Sequence, residues 1–227
     1  DEAYARKILN DISYFRLIKA YSLNLKQKNG CYNQDTTFEE IVSLYLFNAN
    51  FRQLVFPQIE KVEINVRCRV SNYFAEQYGA LGYLQCENFA DDIYHSEFLN
   101  DMRLEIGRNS KSPFVRNFRE HYEGGKLPIY AIVELFSFGT LSKFYKNMIN
   151  KDKKAVAKTF GVGYTYFESW LESIAYVRNI CAHYGRLYNA KLTKTPILYK
   201  EYTQSGISNN RIYGVLLCLK HLLITDA

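Results

Sequence analysis

The chain has 227 residues, 48% of them hydrophobic and 16% aromatic, which is enough to bury a sizeable core without staples. Twelve Gly and four Pro are too few for a hairpin-rich all-β fold, and five cysteines with no C-x-x-C pair argue against a disulfide framework or a zinc ribbon. The formal charge of +6 mildly favours a polyanionic partner. No apolar run approaches the roughly 20 residues that span a bilayer. The chain opens with Asp1 rather than Met and without a signal-peptide pattern, so the natural start is expected upstream, and the unpaired cysteine set fits a reducing cytoplasm.

Apolar residues recur at helical spacing almost throughout, without repeat or linker, and predict one all-α domain over 1–227. Thr37 is a plausible N-cap, and Ile41, Leu44, Tyr45, Phe47, Phe51, Leu54 and Val55 follow at helical spacing until Pro57, which is expected to break or kink the helix. A second helix is predicted to about Tyr78, where Gly79 ends it; Ile59, Val62, Val66, Val70 and Phe74 form its stripe. Asn88 to Tyr122 reads as one or two helices broken near Gly107 to Pro113. Pro128 suits the first turn of a helix that is interrupted at Phe138-Gly139 and restarted by Thr140 as N-cap. A lysine-rich connector and a short helix around Val156 to Phe160 precede a helix predicted from Tyr166 to about Leu187. Asn209 to Leu223 is the last, strongly apolar one.

In the Tyr166 to Leu187 helix, Trp170, Leu171, Ile174, Val177, Ile180 and Cys181 form the apolar side and leave Arg178, Asn179, His183 and Arg186 on the polar arc. Asn179 and His183 are four apart, His183 and Arg186 three apart, so these side chains are expected to be neighbours near one phosphate. Histidine moves protons near neutral pH, and arginine matches phosphate oxygens with a planar fork. An isolated R-x4-H is by itself no more than a solvated helix face. Here it stands in a longer string, Tyr176-Val-Arg178-Asn179-Ile-Cys-Ala-His183-Tyr-Gly-Arg186-Leu-Tyr-Asn189.

That string resembles the hallmark segment of Abi-like (abortive infection) proteins, RN-x-x-AH-x-x-RL-[WY]-N. Tyr14-Phe15-Arg16-Leu17 with Tyr21 is similar to the family's opening, Phe38 to Arg52 and Ile59 to Arg67 to its next helices, and Pro128 to Ser142 to its "P-I-W...E..SFG.LS" signature. Tyr130 and Tyr188 stand where Trp is common, and the front of the family's first segment is absent. The resemblance implies a HEPN-like helical bundle with additional helices. It further implies a homodimer in which two R-x4-H motifs face each other as one metal-independent ribonuclease site, with no cofactor and with RNA as partner. Arg178, Asn179 and His183 then carry the catalysis. The alternative is a non-catalytic protein of a toxin-antitoxin-like defence system that grips a regulatory RNA or an antitoxin-like partner.

Other residues are candidates for support. Glu60, Glu63 and Arg67 share a helix face, either as an ion-pair ladder or as groups that orient the catalytic ones. Lys143 and Lys146 open a basic stretch continued by Lys151, Lys153, Lys154 and Lys158. Tyr184, Arg186, Tyr188 and Asn189, with Lys191 and Lys194, interleave cations and rings as RNA contacts would. Cys181 reads as a core thiol, Gly139 as a place where a helix turns or packs closely, and His95, His121 and His221 as structural or surface residues, although His121 or His221 could supply a second catalytic group within one chain.

Overall fold

The computed structural model describes residues 1–224, and every regular element among them is a helix. In chain order these are α1 (Glu2–Asp11), α2 (Phe38–Tyr78), α3 (Asp92–Arg108), α4 (Pro113–His121), α5 (Ile129–Ile132), α6 (Phe138–Asn147), α7 (Asn150–Thr159), α8 (Tyr164–Ala182), α9 (Lys200–Gln204) and α10 (Ile212–Ile224), with short 3-10 and π turns between some of them. The all-α expectation holds. The chain divides into two compact units, one made of Asp1–Pro57 with Asn179–Ala190 and the other of Gln58–Arg178 with the segment from Lys191 onward. Two of these divisions fall inside α2 and α8, so no composition shift could have marked them.

Helix α2 begins where the sequence predicts, with a reciprocal cap: Glu40 N–H donates to Thr37 Oγ1 and Thr37 N–H to Glu40 Oε2, each at 3.2 Å. Both ends of the box satisfy a donor that the first turn leaves open. The expected break at Pro57 does not occur, and α2 runs through it. A proline inside a helix costs roughly 3 kcal/mol, but Pro57 is exposed and apolar side chains are buried on either side of it. Val55 precedes it in the first unit; Ile59, Val62, Val66, Val70 and Phe74, all at 4% exposure or less, follow in the second.

The first unit packs Leu17, Ile18, Tyr21, Ile41 and Val42 together, flanked by Ile8, Leu9 and Ile12 at the end of α1 and by Phe38, Leu44 and Tyr45 of α2. Helix α1, which the sequence reading did not anticipate, is capped by Asp1, whose carboxylate accepts from Ala3 N–H at 2.9 Å.

The second unit explains the aromatic content. Phe98 and Phe136 stand edge to face at 5.4 Å, and Phe144 lies 5.1 Å from Phe74 and 5.3 Å from Phe98, within the range of favourable ring pairs. Helix α6 is capped by Ser137, whose Oγ accepts from Thr140 N–H at 3.0 Å, rather than by Thr140, whose own hydroxyl meets Ser137 Oγ at 2.9 Å. Gly139 therefore lies in the first turn of α6, where an added Cβ would meet only Ser137 Oγ at 3.6 Å; neither a turn nor close packing requires glycine there.

The lysine-rich stretch is helix α7, not a connector. Its Asp152 is 1% exposed and accepts from the phenols of Tyr73 and Tyr78 at 2.8 and 2.6 Å. Burial and this carboxylate push the Tyr73 phenol up to about 12. Lys153 turns inward beside it and pairs with Glu168 at 2.9 Å. Spacing alone could not show this, because Asp152 and Lys153 are charged residues on the buried side of a helix, a placement tolerated only with such partners.

Candidate active site

Helix α8 ends at Ala182, five residues before the predicted Leu187. Two backbone bonds close it: Gly185 N–H donates to Ile180 C=O at 2.8 Å and Tyr184 N–H to Cys181 C=O at 3.2 Å. This pair is the Schellman ending, in which the residue after the cap takes the left-handed conformation. His183 is the capping residue, its N–H still bonded to Asn179 C=O at 3.0 Å. Tyr184 is the left-handed residue, at φ 59°. Gly185 suits its place for a different reason: a Cβ there would lie 3.0 Å from Ile180 Cγ2 and 3.2 Å from its carbonyl, tight enough that the neighbouring turn would have to give.

Early termination moves Arg186 off the helix. The expectation that it joins Asn179 and His183 on one helical arc is corrected: its guanidinium donates to Ala20 C=O at 2.7 Å, so it secures the loop. Asn179 and His183 are exposed in the last turn of α8 and at its cap.

The loop that follows is held mainly by residues of α2. Asn48 is fully buried. Its Oδ1 accepts from Leu187 N–H and Tyr188 N–H, both at 2.8 Å, and its amide donates to Tyr21 Oη at 2.7 Å and to Gly185 C=O at 3.3 Å. All four capacities of the side chain are used. Arg52, 7% exposed, adds a bond to Gly185 C=O at 3.0 Å. Arg16 donates to Tyr184 C=O at 3.3 Å, and its Cζ lies 5.8 Å from the centre of the Tyr184 ring. Sequence reasoning did not single out Asn48. The signal was a polar residue at apolar spacing, four before Arg52 and seven after Ile41.

Arg178 belongs to the second unit and lies among α2 side chains there. Its Nε is 3.5 Å from Glu63 Oε2, while Glu63 Oε1 pairs with Arg67 at 2.9 Å. Arg67 also donates to Phe136 C=O at 2.9 Å and approaches Glu134 at 3.3 Å. Glu63–Arg67 is thus an i,i+4 pair of the expected ladder, and Glu63 also touches Arg178. Glu60 is exposed beside them.

Lys143 and Lys146 are exposed on α6. Lys194 pairs with Glu172 at 2.6 Å, and this bond and the charges of Lys194 and Lys146 hold the Glu172 carboxyl below its ordinary range. Tyr188 is 42% exposed and meets Phe47 edge to face at 5.1 Å. Asn189 is exposed, at φ 51°.

The other histidines are engaged away from the motif: His95 with Tyr83 C=O at 2.9 Å, His121 with Asn117 C=O at 3.1 Å and His221 with Tyr202 Oη at 2.7 Å. Among the described residues no group of three or more His, Cys, Asp or Glu side chains could hold a metal ion.

Cys181 is a core thiol at 6% exposure, pushed by burial up to about 11, and buried Cys218 goes up to about 12. Cys31, Cys68 and Cys86 are exposed. Since the thiolate is the reacting form, a disulfide reagent at about pH 8 is expected to titrate these three thiols in the native protein and all five after unfolding. A native count of five would mean that the two buried cysteines open readily.

The geometry defines an all-helical protein that presents Asn179 and His183 at a locked helix end, with Arg178 one residue before them. A family model described as "Abi-like protein" matches residues 7–189, and the chain belongs to that family. Membership supports a role in abortive-infection defence. No curated protein and no solved structure matches the chain, and no helix of the described residues is long and apolar enough to cross a membrane.

Proposed function

We propose that the chain is a metal-independent endoribonuclease of the HEPN kind, acting in the cytoplasm as a homodimer in which Arg178, Asn179 and His183 of two copies form one site. The observation that carries this reading is the unbroken Arg178-Asn179…His183 segment at the end of α8, with Asn179 and His183 exposed and the following loop fixed by Asn48 and Arg52. Packing leaves the exposed Asn179 and His183 unaccounted for.

Cleavage of an RNA phosphodiester requires one group to take the proton of the 2′-hydroxyl, whose oxygen attacks phosphorus, and another to give a proton to the departing 5′-oxygen. One chain offers a single histidine in the motif, and a twofold axis supplies the second. Arg178 stabilises the negative charge of the pentacoordinate phosphorus with two parallel bonds, and Asn179 holds a phosphate oxygen or the imidazole.

Cleavage is expected to survive EDTA and to leave 2′,3′-cyclic phosphate and 5′-hydroxyl ends, which end-group analysis of digested RNA reads directly. Loss of cleavage in EDTA with rescue by a divalent metal overturns the mechanism. Arg178→Lys is expected to fail nearly as badly as Arg178→Ala, because lysine lacks the fork; a lysine variant of parental rate would reduce the requirement to charge. Light scattering at assay concentration tests the dimer.

A further inference from the structure

Tyr184 has features that packing leaves unexplained. It occupies the left-handed position of the helix ending, at φ 59°, where glycine is the usual residue. Tyr184 is 65% exposed, so burial returns little for the strained backbone. Side chains kept in strained positions concentrate where they act on a ligand. Arg16 reaches the same ring, but its hydrogen bond goes to the Tyr184 carbonyl, an atom that any residue at this position would offer. Tyr184 also follows His183 directly, and both residues are exposed.

We propose that Tyr184 is a stacking platform for one unpaired nucleobase beside the bound phosphate, with Arg16 supporting the ring and contributing positive charge. A base inside a duplex already has both faces covered, whereas an unpaired base has a face to give. The site would therefore select single-stranded over double-stranded RNA. The position next to the scissile bond rests on the endoribonuclease reading; the platform itself requires only RNA binding.

The test uses the full chain carrying His183→Ala, so that RNA is bound without being cut. The probe is a short single-stranded RNA containing 2-aminopurine, with its duplex as the second arm. Tyr184→Gly is expected to weaken single-strand binding about 5- to 150-fold, the range for losing one stacked base, and to abolish the quenching of 2-aminopurine. Tyr184→Phe is expected to retain both. The glycine variant should melt no lower than its parent, since it relieves the backbone, which separates lost binding from lost folding. Equal binding and quenching in the glycine variant overturns the proposal, as does duplex binding as tight as single-strand binding. So does a change of oligomeric mass in Tyr184→Gly, which would make the ring a contact between copies. A parent chain that binds and quenches but never cleaves rejects the nuclease and leaves the platform standing.

Discussion

Replacing His183 with alanine is expected to reduce RNA cleavage by about 10²- to 10⁴-fold, the usual cost of a positioned acid or base, while leaving the melting temperature within about 2 °C of the parent. The loss of cleavage follows from the proposed acid-base role, and the unchanged melting temperature follows from the structure. The His183 side chain is exposed, and the bonds that end the helix, from Tyr184 N–H to Cys181 and from Gly185 N–H to Ile180, are made by backbone. Alanine keeps all of them. Cleavage and thermal unfolding measured on the same preparation separate chemistry from folding. A parental cleavage rate would remove His183 from the mechanism; a non-cleaving variant that still binds RNA is what the acid-base role requires.

Asn48→Ala should do the opposite, acting on the fold first. Truncation strands Leu187 N–H and Tyr188 N–H, each now bonded to Asn48 Oδ1 at 2.8 Å, and takes one of two partners from the Tyr21 hydroxyl, which keeps its bond with Arg52. A buried polar group left without a partner costs about 1–3 kcal/mol. The sum is not strictly additive, so a loss on the order of 3–5 kcal/mol is expected. For a chain of this size that corresponds to a fall of roughly 6–20 °C in melting temperature. Thermal unfolding followed by circular dichroism decides it: a fall below about 3 °C would mean that water replaces the amide and that the loop is not held as described. Cleavage should fall with it, measured well below the new melting point, because the loop that carries Tyr184 to Tyr188 loses its anchor.

Local periodicity revealed most of the helices and the polar arc of α8, because a buried face repeats every three or four residues whatever it packs against. The cap of α2 was readable for the same reason, since Thr37 and Glu40 satisfy each other within one turn. What escaped depends on contacts far apart in sequence. The end of α8 at Ala182 needs Tyr184 in a conformation that its side chain disfavours, with Gly185 placed one residue later than a glycine stop usually stands. Arg186 looked like part of the reactive face because nothing nearby announces its bond to Ala20. Asn48 interrupts an apolar stripe, which reads as a flaw until its partners at Leu187 and Tyr188 are known. Pro57 obeyed the propensity rule in the reading and not in the fold, where burial on both sides of it prevails. The orientation of Lys153 was hidden because lysine beside lysine looks solvated, and only Glu168 shows otherwise.

The bonds described for the loop after α8 share one property: those to Tyr184, Gly185, Leu187 and Tyr188 all end on main-chain atoms. These hydrogen bonds grip the course of the chain, while the contacts described for the side chains at positions 184 and 188 are single ring contacts, from Arg16 and from Phe47. A substitution at either position therefore keeps every hydrogen bond that fixes the loop, so what the loop displays can change while its course does not.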